Sequence, residues 1–190
     1  MSKPLVIVES PTKVKTIKKY LGDQYNVAST VGHIKDLPAK ELGIEVEQGF
    51  NPKYVTIPGK QKVIKALKTA AGDATDIYLA PDPDREGEAI AWHAAEVLKK
   101  KGRQFHRVLF HELTQNAVKQ ALSRPEALNE NRYKAQQTRR ILDRLVGYQI
   151  SPILWKKVKY GLSAGRVQSV AVRMICERER AIHALDRKSV

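Results

Sequence analysis

The chain of 190 residues is long enough to bury a hydrophobic core, and its hydrophobic content of 42% argues against global disorder. Its single cysteine, Cys176, excludes an internal disulfide and a cysteine-based zinc site, which is typical of a reducing compartment. No apolar run reaches the length of a membrane span, and the apolar stretch near the amino terminus is too short for a secretory signal. We therefore expect a cytoplasmic protein with no membrane partner.

Positive charge is concentrated in the last third of the chain. The formal net charge is +14 at pH 7, and residues 131–190 hold 14 Lys and Arg against 4 Asp and Glu. Residues 1–130 hold 20 against 16. A concentrated basic surface favours a polyanionic partner, most commonly nucleic acid. The alternative is a basic surface that serves only solubility.

Strand-like and helix-like segments alternate over the first 125 residues. The predicted strands are 5–9, 25–30, 53–57, 76–80 and 106–110. The predicted helices are 11–21, 60–71, 86–100 and 114–122, with Ser10 and Thr114 as amino-terminal caps and Pro11 in the first helical position. Residues 31–43 are predicted to form a loop. This order predicts an α/β fold, with a mostly parallel sheet covered by helices on both faces.

Strand signals end near residue 130. Three helices are predicted there: residues 132–148, a second helix starting at Ser151-Pro152, and residues 165–182. We expect two domains, residues 1–125 and residues 126–190, the second being an incomplete helical domain. The polar stretch 123–132 is the candidate boundary. The tail 183–190 is expected to be unpacked.

An acidic segment, "APDPDREGE", follows the fourth predicted strand. It contains four carboxylates, Asp82, Asp84, Glu86 and Glu88. Ligands of parallel sheets lie beyond the carboxyl ends of the strands, and carboxylate oxygens are the ligands that Mg²⁺ prefers. The segment therefore predicts a metal site. Helix capping is the alternative, but it explains only one or two of the four acids.

Glu9 ends the first predicted strand and joins the same site if the first and fourth strands are neighbours. Close carboxylates repel each other, so positive compensation is expected from a metal ion, from Lys13 or from Arg85. A carboxylate at a strand end beside a lysine one turn into the next helix suits proton transfer and phosphate stabilisation. The alternative is an ordinary surface ion pair between Glu9 and Lys13.

A second candidate binding feature is the glycine-rich turn "GLSAGRVQS" at residues 161–169, which opens a helix. Its polar side chains, Ser163, Arg166, Gln168 and Ser169, suit a phosphate at a helix amino terminus, although the turn is not a P-loop. A plain helix–helix turn is the alternative. The preceding helix carries Arg139, Arg140, Asp143 and Arg144, where Arg140 and Asp143 have the spacing of a simple ion pair.

Histidines give weaker signals. His33, in the loop sequence "GHIKD", is a candidate functional residue because of its place in the loop. His33, His93 and His183 are too scattered along the chain to be interpreted together as metal ligands. The segment "HELTQ" lacks the second histidine of a zinc-protease helix.

Five ordered blocks together resemble the amino-terminal part of type IA DNA topoisomerases. The blocks are "VIVESPTKVKTI", "VGHIKDLP", "APDPDREGEAIAWH", "RRILDRLVGY" and "GLSAGRVQSVAVRMICERE". The resemblance covers roughly residues 3–182. It implies a Toprim domain and a Mg²⁺ site formed by Glu9, Asp82, Asp84 and Glu86. It also implies that Glu9 protonates the departing 3′ oxygen and that Lys13 stabilises charge.

The resemblance further implies an enzyme that relaxes negatively supercoiled DNA by Mg²⁺-dependent single-strand cleavage, strand passage and religation. Its implied contacts with single-stranded DNA are His33, Arg85, Arg139, Arg140, Asp143, Arg166, Gln168 and Ser169. A cytoplasmic, nucleoid-associated protein is implied, and a monomer is favoured.

This sequence differs from the family pattern at the nucleophile. These enzymes cut DNA with a tyrosine in a Tyr-x-Arg-Thr context, and none of the seven tyrosines here has that context. We therefore expect this chain to be a fragment that is inactive without the carboxy-terminal domains of its parent. Two alternatives stay open, a stand-alone Toprim nuclease or primase-like enzyme and a non-catalytic DNA-binding fragment.

Overall fold

The computed structural model describes residues 3–185, which form two compact units that divide between Thr138 and Arg139. The domain boundary near residue 125 stays a prediction. Of the tail predicted to be unpacked, residues 186–190 lie outside the described residues. Within the described part of the chain, no helix is long and apolar enough to cross a membrane.

The secondary structure follows the alternation seen in the sequence. The strands are β1 (Leu5–Val8), β2 (Asn26–Ser29), β3 (Lys35–Asp36), β4 (Ile44–Glu45), β5 (Asn51–Pro52), β6 (Val55–Thr56), β7 (Asp76–Leu79) and β8 (Gln104–Arg107). The helices are α1 (Pro11–Leu21), α2 (Gln61–Ala71), α3 (Arg85–Leu98), α4 (Gln115–Ser123), α5 (Glu130–Lys157) and α6 (Gln168–Ala184).

A four-stranded sheet organises the first unit. Its order is β2-β1-β7-β8, and every neighbouring pair is parallel. All four residues of β1 are buried, as expected for an inner strand of a parallel sheet with helices on both faces. The predicted α/β fold is confirmed.

Alternate side chains of β1 enter two separate cores. Leu5 and Ile7 pack with apolar residues of α2 and α3 on one face of the sheet. Val6 and Val8 pack with apolar residues of α1 and α4 on the opposite face. Burying each of these side chains contributes about 1.5–3 kcal/mol, so the central strand is strongly fixed in position.

The predicted helix caps are confirmed in geometry. The hydroxyl of Ser10 accepts the N–H of Lys13 at 3.4 Å, and Pro11 occupies the start of α1. The hydroxyl of Thr114 accepts the N–H of Ala117 at 3.3 Å at the start of α4. The first of these caps fixes the chain direction where it leaves β1.

Two strand predictions were wrong in detail. Segment 53–57 is not a strand of the parallel sheet: β6 spans only two residues and pairs antiparallel with β3, which lies in the segment predicted to be a loop. Val55 of β6 is exposed, so this segment belongs to a small two-stranded sheet at the surface rather than to the core. The strand predicted at 106–110 begins two residues earlier, as β8.

In the second unit, the predicted helix start at Ser151-Pro152 is wrong. Helix α5 continues through Pro152. A proline inside a helix removes one backbone hydrogen bond and costs about 3 kcal/mol, which tertiary packing can offset. The Ser151 hydroxyl instead accepts the N–H of Ala164 at 3.0 Å. The indole N–H of Trp155 donates to the carbonyl of Leu162 at 2.6 Å, so the turn before α6 is tied to α5.

Candidate active site

The pairing of β1 with β7 assembles an acidic site at the carboxyl edge of the sheet. Ile7 is in register with Leu79, so Glu9 and Asp82 follow neighbouring strands, as predicted. Lys13, in the first turn of α1, lies between them. Its ammonium nitrogen is 2.6 Å from Oε1 of Glu9 and 2.6 Å from Oδ1 of Asp82.

The two carboxylates stabilise the charge of Lys13. Burial alone would lower the pKa of this lysine, but its hydrogen bonds to Asp82 and Glu9 outweigh burial and raise the pKa above its usual value. Lys13 is therefore protonated throughout the physiological range. It supplies the positive compensation that close carboxylates require.

Asp84, which precedes α3, and Glu86, in the first turn of α3, differ in their contacts. Oδ1 of Asp84 accepts the N–H of Gly87 at 2.7 Å, which caps the helix and confirms capping as one role of this acid. Oε2 of Glu86 lies 3.3 Å from Nε2 of His33 and 3.2 Å from Nε2 of Gln136. His33 therefore lies at the acidic site. Arg85, which precedes Glu86 in the sequence, is exposed.

The expectation that Glu88 acts with the other three acids was wrong. Its side chain is 1% exposed and forms an ion pair with Arg107, which is also 1% exposed, at 2.9 Å. The inward face of α3 carries Glu88 into the interior, away from the open edge. This carboxylate is part of the core.

A strained turn follows β2 at the same edge of the sheet. Val31 has a φ of 53°, which is unusual for a β-branched residue. The Ser29 hydroxyl accepts the N–H of Val31 at 2.9 Å, and the ammonium of Lys60 donates to the Val31 carbonyl. The next residue, Gly32, donates its N–H to the carbonyl of Glu9 at 2.7 Å. This turn holds the His33 loop against the end of β1.

His93 is a neutral residue of the core rather than a ligand. Its ring packs against the rings of Tyr54 and Tyr133. Burial, which leaves the protonated form poorly solvated, and the nearby positive charge of His33 together lower the pKa of His93 to about 4. His183 lies on α6 beside Glu179 and is exposed.

The oxygen donors of the acidic site fit a hard divalent cation. Among residues 3–185, no three His, Cys, Asp or Glu side chains already converge as a complete metal site. Within the same residues, however, Oε2 of Glu9 is buried and has no hydrogen-bond partner. An ion that takes carboxylate oxygens and retains several waters would satisfy this atom, and Mg²⁺ has that coordination chemistry.

In the second unit, a cavity of about 730 Å³ lies between α5 and the turn before α6. Four of the predicted DNA-binding residues line it: Arg140, Asp143, Arg166 and Gln168. The aromatic side chains of Tyr148 and Trp155 line it as well. Asp143 lies 3.1 Å from Arg166 and 3.8 Å from Arg139. The cavity thus combines cationic and aromatic groups, a pairing suited to phosphates and bases.

The polar residues of the glycine-rich turn are held by local hydrogen bonds. The amide of Gln168 donates to the carbonyl and the hydroxyl of Ser163, at 3.1 and 3.0 Å. The hydroxyl of Ser169 accepts the N–H of Gly165 at 3.1 Å. These contacts fix the conformation of the turn.

Sequence reasoning missed two residues that contact the carboxylates of the acidic segment. Arg107 lies in a predicted strand, and a lone arginine within the apolar run "HRVLF" is a signal of a buried ion pair. Gln136 contacts Glu86 from α5, and nothing in the local sequence distinguishes it from the other polar residues of that helix.

Comparison with known proteins agrees with this geometry. Residues 4–113 match the Toprim domain family, and residues 127–189 match the DNA topoisomerase family. The chain is similar to the structure of full-length topoisomerase I from Thermotoga maritima, with 45% identity and a TM-score of 0.87. The match covers 96% of this chain and 31% of that one, so the chain spans about a third of its length.

Toprim domains are known to bind divalent metal ions, which agrees with the oxygen donors at the edge of the sheet. The two family matches occur in the order expected from the sequence blocks, and one structural match spans both. The chain therefore belongs to the type IA DNA topoisomerase family and corresponds to the amino-terminal part of these enzymes.

Proposed function

We propose that this chain supplies the metal site and part of the single-stranded DNA path of an enzyme that relaxes negatively supercoiled DNA. The reaction consists of Mg²⁺-dependent single-strand cleavage, strand passage and religation. The attacking tyrosine comes from another part of the full-length enzyme, since no tyrosine here has the Tyr-x-Arg-Thr context. The enzyme acts in the cytoplasm, on nucleoid DNA.

The observation that carries this proposal is the convergence of Glu9, Lys13 and Asp82. Two carboxylates from neighbouring strands and one ammonium group meet within hydrogen-bond distance at the open edge of a parallel sheet. A purely structural ion pair needs only one carboxylate for each lysine. A surplus carboxylate, with a buried oxygen of Glu9 unsatisfied among the described residues, is the arrangement expected where a cation and a phosphate complete the site.

The metal ligands would be Glu9, Asp82, Asp84 and Glu86. When bound, Mg²⁺ would neutralise negative charge on the phosphate that is cut. Asp84 also caps α3 through Oδ1, which holds the carboxylate in one orientation. The contacts of Glu86 with His33 and Gln136 restrain it in the same way.

Glu9 would transfer the proton, and Lys13 would stabilise the negative charge that develops. As the tyrosine oxygen attacks phosphorus, its proton passes to solvent water, the bond from phosphorus to the 3′ oxygen breaks, and Glu9 gives a proton to that oxygen. Lys13, whose raised pKa keeps it charged, stabilises the negative charge of the transition state. In religation the 3′ oxygen attacks phosphorus and returns its proton to Glu9, the bond from phosphorus to the tyrosine oxygen breaks, and the tyrosine regains a proton from solvent.

The second unit would contact the DNA strand. We infer phosphate contacts from Arg139, Arg140 and Arg166, oriented by Asp143, with Gln168 and Ser169 at the start of α6. In the first unit, His33 and Arg85 would contact the strand near the acidic site. Base stacking on aromatic rings and phosphate contacts by arginine are both largely independent of sequence, so weak base preference is expected.

The metal assignment is tested with the double variant Asp82→Ala/Asp84→Ala. In an NMR titration, Mg²⁺ should shift the amide signals of residues 80–90 in the wild-type chain, and these shifts should vanish in the variant. The matched control Asp23→Ala/Asp73→Ala removes the same charge from acids that lie away from the site, and it should behave like wild type. Equal shifts in the acidic-site variant and the wild type would show that the assignment is wrong.

A further inference from the structure

Arg107 is a fully buried arginine whose guanidinium is surrounded by backbone carbonyls. Its Nε donates to Oε2 of Glu88 at 2.9 Å. Nη1 donates to the carbonyls of Leu79, Pro81 and Val108, at 3.1, 2.9 and 3.0 Å, and Nη2 donates to the carbonyl of Asp82 at 2.6 Å. This is more than an ion pair requires, because one guanidinium joins four carbonyls that lie in two segments of the chain.

Two of those carbonyls belong to the segment that carries the acids. Pro81 and Asp82 lie between the end of β7 and the start of α3, where the backbone pairs with no strand. Their carbonyl oxygens bond to Arg107 from inside the unit, while the Asp82 carboxylate points out to Lys13. The backbone of Asp82 is therefore held by Arg107, and its side chain is held by Lys13.

Glu88 secures the arginine from the other side. Its second carboxylate oxygen accepts the N–H of Asn129 at 2.7 Å, so both oxygens have partners. Arg107 itself is fixed by its backbone, which exchanges two 2.8 Å hydrogen bonds with Glu126. A buried charge that is paired and fully hydrogen-bonded is rigid, because any movement would leave a charge unpaired in the interior.

The same segment also lies close against the first turn of α3. A side chain at Gly87 would collide with the carbonyl of Asp82, and its Cβ would stand 2.9 Å from the carbonyl carbon and from the backbone nitrogen of that residue. The backbone of the acidic segment is thus fixed by a close glycine contact and by the guanidinium. Neither of these two contacts involves a carboxylate that would bind a metal.

We propose that Arg107 is a positioning residue that holds the backbone of residues 81–82, so that the acidic carboxylates are arranged before an ion arrives. Glu88 is its partner and not a metal ligand. This inference rests on the proposed function, since it concerns the same site. Residues that orient metal ligands commonly contribute 10- to 100-fold to affinity, and this range is expected here.

The chain offers a matched control at the opposite end of the sheet. Arg103 also donates to three backbone carbonyls, those of Gly72, Ala74 and Leu98, at 2.8, 3.1 and 2.7 Å. These carbonyls lie before β7 and at the end of α3, far along the strands from the acids. Arg103→Lys therefore removes a comparable set of backbone contacts without touching the acidic segment.

The experiment compares Arg107→Lys with Arg103→Lys by NMR. Without metal, the heteronuclear NOE of the Asp82 and Asp84 amides should fall in Arg107→Lys and be unchanged in Arg103→Lys. With Mg²⁺, affinity at these amides should fall about 10- to 100-fold in the first variant and stay within about twofold in the second. If wild type fails to bind Mg²⁺, the proposed function fails, while the metal-free comparison still tests the role of Arg107.

A lysine at position 107 keeps the charge that pairs with Glu88 but cannot reach all four carbonyls. Should Arg107→Lys fail to fold, the double variant Arg107→Gln/Glu88→Gln removes both buried charges together and leaves neither unpaired. It should loosen the acidic segment to the same degree. A rigid segment with wild-type Mg²⁺ affinity in either folded variant, or equal loosening by Arg103→Lys, would overturn the proposal.

Discussion

Lys13 occupies the space between the two carboxylates that would also bind the metal, so it should compete with the ion. Replacing it by methionine keeps most of the side-chain volume and removes the charge. We expect Lys13→Met to bind Mg²⁺ more tightly than wild type. The same change should slow DNA cleavage in the full-length enzyme, because the transition state then lacks a positive charge. Metal affinity and cleavage rate are thus expected to move in opposite directions.

The size of the effect follows from the exposure of the two ion pairs. The Asp82 side chain is 57% exposed, so its pair with Lys13 is screened by solvent and contributes about 0.5–1 kcal/mol. The Glu9 side chain is 16% exposed, so its pair lies at the upper end of that range or slightly above it. An ion that takes both carboxylates must weaken both pairs. Removing the ammonium should therefore favour Mg²⁺ by about 1–2 kcal/mol, which is about 5- to 30-fold in affinity.

The assay is an NMR or calorimetric Mg²⁺ titration at constant ionic strength, with Lys15→Met as the control. Lys15 is an exposed lysine on the same helix, so this variant makes the same change in net charge away from the two carboxylates. It should bind Mg²⁺ like wild type. If Lys13→Met binds Mg²⁺ as tightly as wild type, or more weakly, the idea that Lys13 and the ion compete is refuted.

The remaining predictions concern DNA, catalysis and pH. Fluorescence anisotropy should show that binding of single-stranded DNA weakens as salt is added. Each phosphate contact should contribute about −0.7 to the slope of log K against log salt concentration, and we expect roughly three to five contacts. Arg166→Ala should remove about one phosphate contact. The control Arg173→Ala, which breaks an exposed pair with Glu177, should remove none. An affinity that does not change with salt would count against the proposed phosphate contacts. Incubated with Mg²⁺ and a labelled oligonucleotide, the 190-residue chain should form no protease-sensitive adduct, because none of its seven tyrosines has the Tyr-x-Arg-Thr context. Tyr78 is a poor nucleophile for a further reason, since its ring packs against Tyr25 and His106 and burial raises its pKa. Cleavage without an adduct, lost in Asp82→Ala, would instead favour the nuclease alternative. His93 binds a proton near pH 6.5 when unfolded but only near pH 4 when folded, so the unfolded state binds more protons between these values. In urea unfolding, His93 should therefore lower the free energy of unfolding by about 2 kcal/mol at pH 5 relative to pH 7.5. His93→Gln should lack this part of the pH dependence. A variant with the same pH dependence as wild type would disprove the assignment to His93.

The arrangement of the sheet could be predicted because local and global signals agree in the first unit. Ser10 and Thr114 cap helices where the apolar periodicity changes, and both caps are present. The run 5–8 is continuously apolar, which is typical of a strand buried on both faces, and β1 is such a strand. Once β1 and β7 are neighbours, the meeting of Glu9 and Asp82 follows from the geometry of parallel strands.

What could not be predicted depends on which way a side chain points and on contacts distant in sequence. Glu88 belongs to the same acidic run as Asp82, and only the rotation of α3 directs it into the core. Ser151-Pro152 has the form of a helix start in the local sequence, but the contact of Ser151 with Ala164 belongs to tertiary structure. Val55 alternates with polar neighbours like a core strand, and its exposure becomes clear only from the two-residue pairing of β6 with β3.

The adjacency of β1 and β7 also has a consequence for folding. Lys13 and Asp82 are 69 residues apart in the chain, so their contact requires that the central pair of the sheet has formed. A ligand that binds only the folded state stabilises it by mass action, by about 1.4 kcal/mol at ten times its dissociation constant. During synthesis, Glu9 and Lys13 emerge well before Asp82, and a nascent chain that ends before β7 holds no such site. Bound Mg²⁺ would therefore report that the two central strands have paired.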